Sequence, residues 1–282
     1  MKTVESKILI EEIDTDGHSP MKFICSDGAI YFAKYRSGKS FDKNEIHCLV
    51  FEMLCTALLK RLHIPVPDDA LITINEDSYV KGQLKVNKRY VEEGVIAWGS
   101  KEIPNTDLVK EIEFLQKKKE FNKIKNPEDL IKIAVFDLWV DNADRHSGNY
   151  NLLTEIEGGK IKVITIDHAF AFGGLKGMNI FNATTAPQPH KKIIESQYFR
   201  SIVKYFNKAK RIEIGNQFIS LLEELDTENI INDVFSDIPH QWQINETLKT
   251  RIIGFLTSAQ RINAIRQICS QQLQKNLRRK KQ

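Results

Sequence analysis

Two aspartates and one asparagine carry the chemistry this sequence offers. The stretch "WVDNADRHSGNYNLL", residues 139–153, holds Asp144 and Asn149 between an apolar helical pattern and an apolar strand pattern. Asp167 follows at the end of the apolar run "VITID". Carboxylate and amide oxygens are the hard donors that Mg2+ prefers. A carboxylate beside a hydroxyl can take its proton, a contribution worth about 10²–10⁴ in rate. An Asn supplies an oxygen without placing a third negative charge near a phosphate. Asp144 is therefore the candidate catalytic base, and Asn149 and Asp167 are candidate metal ligands. Taken singly, such residues mostly cap helices or make turns. Their order along the chain, helix, loop, hairpin and then Asp, is what gives the set meaning.

That order, with five residues from Asp to Asn, matches the catalytic half of phosphoryl-transfer enzymes of the protein-kinase type. A phosphate-holding cation should then lie upstream. Lys34 ends the third β-type run, "AIYFAKY", where a kinase lysine would meet the phosphates of ATP. An acid on the next helix should pair with it. Glu45, near the start of that helix, is the expected partner, and Glu52, two turns later on roughly the same face, is the fallback. No G-x-G-x-x-G is present; "DGHSP" at 16–20 stands in its place. There Gly17, His18 and Ser19 offer backbone N–H groups and a hydroxyl to phosphate oxygens.

The elements that must position these groups can be read from periodicity. "KILIEEI", "MKFIC" and "AIYFAKY" read as three strands of an antiparallel meander, the last two joined by an Asp-Gly turn. Ile46, Leu49, Val50, Met53, Leu54 and Leu58 recur at helical spacing until "HIPVP" ends the helix. "ALITI" reads as a further strand; possible strands follow near Tyr79 and in "VEEGVIAW". The segment from Glu92 to Trp98 is the expected connector between two halves. "NTDLVKEIEFLQKKKEF" reads as an amphipathic helix. "NPEDLIKIAVFDLWV" reads as a buried one, with Asn126 as cap and Pro127 in the first turn. "NYNLL" and "KIKVITID" form a hairpin, and the chain is mostly helical after about Lys191. The expected fold is α+β and two-lobed, protein-kinase-like: a small antiparallel-sheet N-lobe with one helix, residues 1–98, and a larger helical C-lobe, residues 99–282.

Composition narrows the function classes. The chain has 282 residues, 41% hydrophobic and 28% charged, as expected of a globular protein. No apolar run approaches the roughly 18–20 residues that span a bilayer, and the first residues lack the apolar block of a signal peptide. A cytoplasmic location is the resulting expectation. The four cysteines are scattered, without a C-x-x-C pair, and read as buried thiols. Net charge is +4, but the tail "QQLQKNLRRKKQ" carries five Lys or Arg and no acid; taking those five away leaves −1. The body thus lacks a nucleic-acid footprint, and any contact with nucleic acid or anionic lipid falls to the tail.

The string "NADRHSGN" followed by "IDHAFAF" resembles the HipA-like kinase family and, more distantly, the phosphatidylinositol kinases, which share a DRHxxN loop. "DGAIYFAKY" followed by "NEIHCLVFEMLCTALLKRLHIPVP" looks like the front half of the HipA-like side. The resemblance covers about residues 5–200. It implies ATP and Mg2+ as cofactors, Lys34 on the ATP phosphates, Asp144 as base, and Asn149 and Asp167 on metal. Arg145 and His146 match the family's loop; His146 either orients Asp144 or touches phosphate, or is a satisfied core histidine. His168 replaces the Phe of D-F-G, Asn142 holds the loop, and Asp137 reads as structural. A minimal kinase core is expected, without the extra N-terminal subdomain of the full-length HipA toxin. The expected partner is a protein substrate with Ser or Thr, and an antitoxin or regulatory partner is compatible with the resemblance. Ser19, Ser37 and Ser40 are candidates for autophosphorylation. A phosphoinositide kinase and a non-catalytic nucleotide-binding module are the alternatives.

Overall fold

The computed structural model describes residues 1–15, 19–36, 45–109, 117–174 and 181–275. Its N-terminal region is built on five strands: β1 (Thr3–Glu12), β2 (Met21–Cys25), β3 (Ile30–Lys34), β4 (Asp69–Thr73) and β5 (Ile96–Lys101). They close into a barrel in the order β1-β2-β3-β5-β4. The antiparallel meander β1-β2-β3 forms as the alternating patterns require, with Met21, Phe23, Cys25, Tyr31 and Ala33 pointing inward. The expected all-antiparallel pairing is corrected in one respect. Thr3–Glu5 of β1 pair in parallel with Leu71–Thr73 of β4, and that contact closes the barrel. A parallel pair needs a long crossover, so no local turn pattern announces it. Closure also demands a bare position: a Cβ on Gly99 of β5 would lie 2.2 Å from Ile72 Cδ1.

Helix α1 (Glu45–Arg61) is buried along nearly its whole length. Leu49, Leu54 and Leu58 share one apolar core with Leu71 and Trp98 of the barrel and with Leu130 and Phe136 of the helical region. This explains an apolar pattern that wraps the helix rather than striping it. The chain leaves α1 through His63, at φ 54°, and then Pro65. All four cysteines are free and buried.

Three sequence expectations change between residues 75 and 121. Near Tyr79 the chain makes 3-10 turns (Glu76–Ser78, Lys81–Gln83, Asn87–Arg89), not a strand. Glu92–Trp98 does not connect two halves: it leads into β5, which runs on to Lys101 and crosses the expected boundary at residue 98. Thr106–Leu108, expected to be helical, forms strand β6 because it pairs with Leu153–Glu155 of β7 (Leu152–Glu157). Helix α2 (Lys118–Phe121) is short, and α3 starts at Asp129 rather than beside Asn126, running to Trp139. Strands β7 and β8 (Lys160–Thr165) form the expected hairpin, with Gly158 and Gly159 at φ 56° and 76° in its two-residue turn.

The rest is helical: α4 (Gln197–Val203), α5 (Lys208–Glu224), α6 (Thr227–Asp237), α7 (Glu246–Leu256) and α8 (Ala259–Gln274). Each begins on a side-chain cap, from Ser196, Asn207, Asp226, Asn245 and Ser258 in turn. No helix among the described residues is long and apolar enough to cross a membrane. The α6–α7 connection fastens the helical region to the barrel. The Gln241 amide accepts from Ile96 N at 3.0 Å and donates to Gly94 O at 3.2 Å, and Trp242 Nε1 donates to Ile96 O at 2.8 Å. Trp242 is buried, so Trp242→Ala is expected to cost about 3–5 kcal/mol in urea unfolding. Trp242→Phe, which mainly removes the indole donor, is expected to cost about 1–3 kcal/mol. A Trp242→Phe protein as stable as wild type would remove the hydrogen bond from the account.

Candidate active site

Lys34, Glu52 and Asp167 meet where β3, α1 and the end of the β7–β8 hairpin converge. Lys34 Nζ lies 2.6 Å from Glu52 Oε1 and 3.0 Å from Asp167 Oδ1. It stands 5.8 Å from the centre of the Trp98 ring. Glu52 is 1% exposed and Lys34 11%, whereas Asp167 is 35% exposed. Burial alone would lower the lysine pKa, but the carboxylates of Asp167 and Glu52 outweigh it and hold the pKa above its ordinary value. Glu52 is pushed up by burial against the pull of Lys34. Its second oxygen, Oε2, accepts from His168 N at 2.8 Å. One α1 carboxylate therefore aligns both the β3 lysine and the backbone that carries Asp167.

This corrects the expected partner. Glu52, not Glu45, pairs with Lys34; Glu45 opens α1 and is itself buried. Seven residues at 1.5 Å each put the two acids about 10 Å apart along the helix axis. Of the expected phosphate loop, Gly17 and His18 lie outside the described residues, as do Ser37 and Ser40. Ser19 is buried, its hydroxyl has no partner among the described residues, and its carbonyl accepts from Asn87 Nδ2 at 2.8 Å.

Asp144 sits on a loop closed by reciprocal backbone bonds between His146 and Asn149, with Gly148 at φ 95° in the turn. Asn149 Nδ2 donates to Asp144 Oδ2 at 2.9 Å, and Asn151 Nδ2 donates to the same oxygen at 3.0 Å. Burial raises the Asp144 pKa, the nearby charge of Asp167 raises it further, and the two asparagines pull it down. The two carboxylates are thus close enough to repel. With its Nδ2 committed to Asp144, Asn149 has Oδ1 left to face a cation. His146 is half-buried and donates from Nδ1 to Ser147 O at 2.8 Å. It is neither a core histidine nor hydrogen-bonded to Asp144, although its charged form would lower the Asp144 pKa.

Beneath the loop lies a buried frame. Asn142 Oδ1 accepts from Asp144 N at 3.1 Å, and its Nδ2 donates to Asp137 Oδ1 at 3.1 Å. Arg145 is fully buried, with Nε 2.9 Å from Asp137 Oδ2, close as an ion pair but off the line of a good hydrogen bond. Its other nitrogens donate to Tyr150 O at 2.8 Å, to Asn151 O, and to Ile166 O at 3.1 Å. Nη2 also lies 2.9 Å from His168 Nε2. A guanidinium only donates, so Nε2 is the acceptor and the His168 proton sits on Nδ1. Burial and the Arg145 charge lower the His168 pKa well below its ordinary value, so this imidazole stays neutral. Asp141, Asn151, Asp167 and Phe172 all adopt left-handed φ, from 46° to 57°. Non-glycine residues there are strained unless their surroundings fix them, and four of them ring this one site.

Sequence reasoning missed three supports. Asn151, seven residues after Asp144, could have been suspected as a second amide in "NYN". Lys192 and Arg261, both buried and both aimed at the start of the loop, carry no local signal. A cavity of about 420 Å3 lies away from the cluster, between the barrel and α6. Much of its charge is already paired, as in Lys60 with Asp68 and Asp69 and Lys2 with Asp27.

A closed sheet set on a helical body, with lysine, two acids and amides at their junction, defines a protein of the kinase class. The HipA-like kinase family matches residues 10–276, and the chain belongs to it. Among curated proteins no sequence matches. A Helicobacter pylori proinflammatory kinase, CtkA, is similar in structure at TM-score 0.53 and 11% identity, over 94% of this chain and 96% of the other. A Golgi casein kinase with Mn and ADP bound gives 0.50 and 12%, over 97% and 74%. HipA of Shewanella oneidensis MR-1, in a complex with HipB and operator DNA, gives 0.41 and 10%, over 93% and 62%. At these identities the first two show a likeness of fold alone.

Proposed function

We propose that this chain is an ATP- and Mg2+-dependent protein kinase that phosphorylates Ser or Thr, including on itself. The barrel and the helical region act as its two lobes. The observation that carries the reading is the meeting of Lys34, Glu52 and Asp167 within hydrogen-bonding distance, with Asp144 near enough to feel the Asp167 charge. Two repelling carboxylates and a spare amide oxygen suit a hard divalent cation. Asp167 and Asn149 would hold it, and it would neutralise charge on the transferred phosphate. Lys34, kept cationic by its two acids, would bind ATP phosphate oxygens, with Asp167 left to hold the metal. Asp144 accepts the hydroxyl proton: its Oδ2 is held by two amides, and Oδ1 faces the incoming hydroxyl. The frame of Arg145, Asp137 and Asn142 keeps that oxygen aimed.

The test offers γ-labelled ATP and Mg2+ with a protein substrate and, in parallel, phosphoinositide vesicles. Label is expected on protein Ser or Thr and on the chain itself, and chelation of Mg2+ should abolish it. Lys34→Met is expected to lower kcat/KM by at least about 10²-fold, the scale for losing one preorganised charge contact. Label on lipid alone would establish the phosphoinositide reading instead. ATP binding without transfer to any acceptor would leave a nucleotide-binding module.

A further inference from the structure

From residues 181–192 a buried lysine reaches back to the turn before the catalytic loop. Lys192 is 6% exposed. Its Nζ donates to Asn142 O at 2.8 Å and lies 2.8 Å from Asp141 Oδ1. Both acceptors belong to the turn that delivers Asp144, and the same Asn142 receives Asp144 N on its side chain. Asp141 and Lys191 both take left-handed φ, at 53° and 62°, so the backbone is bent on each side of the contact. Immediately after Lys192, Ile193 and Ile194 are buried in a turn that packs on α3.

The nearer end of the same segment is held by its carbonyls. Arg251 Nη2 donates to Phe181 O at 3.2 Å, Ser258 Oγ to Ala183 O at 2.7 Å, and Arg261 Nη1 to Thr185 O at 2.7 Å. Arg261 is buried as well, and its Nη2 donates to Leu138 O at 2.7 Å and Trp139 O at 3.1 Å, the last carbonyls of α3. Residues 181–192 are thus fixed by backbone acceptors, which leaves the side chains of Asn182 and Thr184 exposed to solvent. The two cations grip the loop start from the α3 end and from the Asp141–Asn142 turn. None of these contacts touches the Lys34 cluster. The segment also packs through Phe181 on Phe172, whose ring meets Phe51 of α1, but its hydrogen bonds run to the Asp144 side.

We propose that Lys192 is a positioning residue that ties segment 181–192 to the Asp141–Asn142 turn and so holds Asp144 in place for proton acceptance. This rests on the kinase reading above. A buried ammonium with two oxygen acceptors is costly to leave half-matched, so the segment and the loop order together. The coupling assigns residues 181–192 a role in holding the catalytic loop, beyond the helical scaffold.

The experiment compares wild type, Lys192→Met and Lys192→Arg in ATP-driven phosphorylation, in thermal unfolding, and in amide hydrogen exchange over residues 141–146. Lys192→Met is expected to lower kcat about 10–10²-fold, the scale of a misplaced catalytic group. The KM for ATP should stay within about twofold, the mark of an effect confined to the chemical step. Amides of Ala143 and Asp144 should lose protection, and Lys192→Arg, which can still reach both oxygens, should recover much of kcat. Unchanged kcat and unchanged exchange in Lys192→Met would overturn the proposal. So would a parallel fall of kcat, ATP affinity and melting temperature that Lys192→Arg does not relieve, because that is the signature of packing alone. An inactive wild type would instead sink the kinase reading, and the exchange data would still decide whether Lys192 orders the loop.

Discussion

Replacing Asp144 with Asn is expected to lower kcat by about 10²–10⁴-fold, the range for removing a general base, with the KM for ATP little changed. The geometry makes this a clean substitution. Asn149 Nδ2 and Asn151 Nδ2 both donate to Asp144 Oδ2. An asparagine can turn its own Oδ1 to those donors, so the loop keeps its bonds. What then faces the hydroxyl is an N–H₂ group, a donor with no capacity to take a proton. The pH profile sharpens the point. Burial and Asp167 raise the Asp144 pKa, so the acidic limb of the kcat profile should lie above the ordinary carboxylate range. Donors to the charged form lower a pKa. Asn151→Ala removes one and should move the limb to higher pH, leaving the alkaline side in place. Wild-type kcat in Asp144→Asn, or a limb that moves down in Asn151→Ala, would remove Asp144 from the role of base.

The polar groups on and after the loop were legible because they are local. Asp144, Asn149 and Asp167 lie within one loop and one hairpin, and both pieces are readable from turn residues and period. Their distance from Lys34 was not readable; only the order of elements suggested it. Glu52 was a fallback because the phase of α1 against β3 is set by a core reaching from Leu71 to Phe136, not by anything near residue 45. The parallel β1–β4 pairing and the conversion of Thr106–Leu108 to a strand have the same origin. Each depends on a partner far away in sequence, and long-range pairing overrides local propensity. Lys192, 50 residues from Asn142, and Arg261, 122 from Trp139, are ordinary helix-region cations until the fold brings them under the loop. Local pattern thus conveys the reacting groups, and tertiary packing conveys what aims them.

Arg145→Met is expected to be the most destabilising single change near the site, about 3–5 kcal/mol, because it leaves Asp137 as a buried charge without its partner. Both side chains are wholly excluded from solvent, so water cannot substitute. Among the described residues, the Asn142 amide at 3.1 Å and the more distant Lys192 charge would remain as relief for Asp137. The loss is a large share of the 5–15 kcal/mol typical of a domain, and it should appear as a lower urea midpoint at unchanged slope. Arg145→Lys is expected to recover little. Arg145 spreads its donors over Asp137, three backbone carbonyls and His168, and a lysine presents a single point charge with no planar fork. The double variant Asp137→Leu, Arg145→Met separates charge from scaffolding. It removes both ions, so it should regain part of the stability lost in Arg145→Met. It should stay inactive, since the carbonyls of Tyr150, Asn151 and Ile166 lose their shared donor and the chain on both sides of Asp144 and Asp167 is released. A double variant with wild-type kcat would show that the loop holds its shape without Arg145, and an Arg145→Met protein within about 1 kcal/mol of wild type would show that the buried pair is not what secures it.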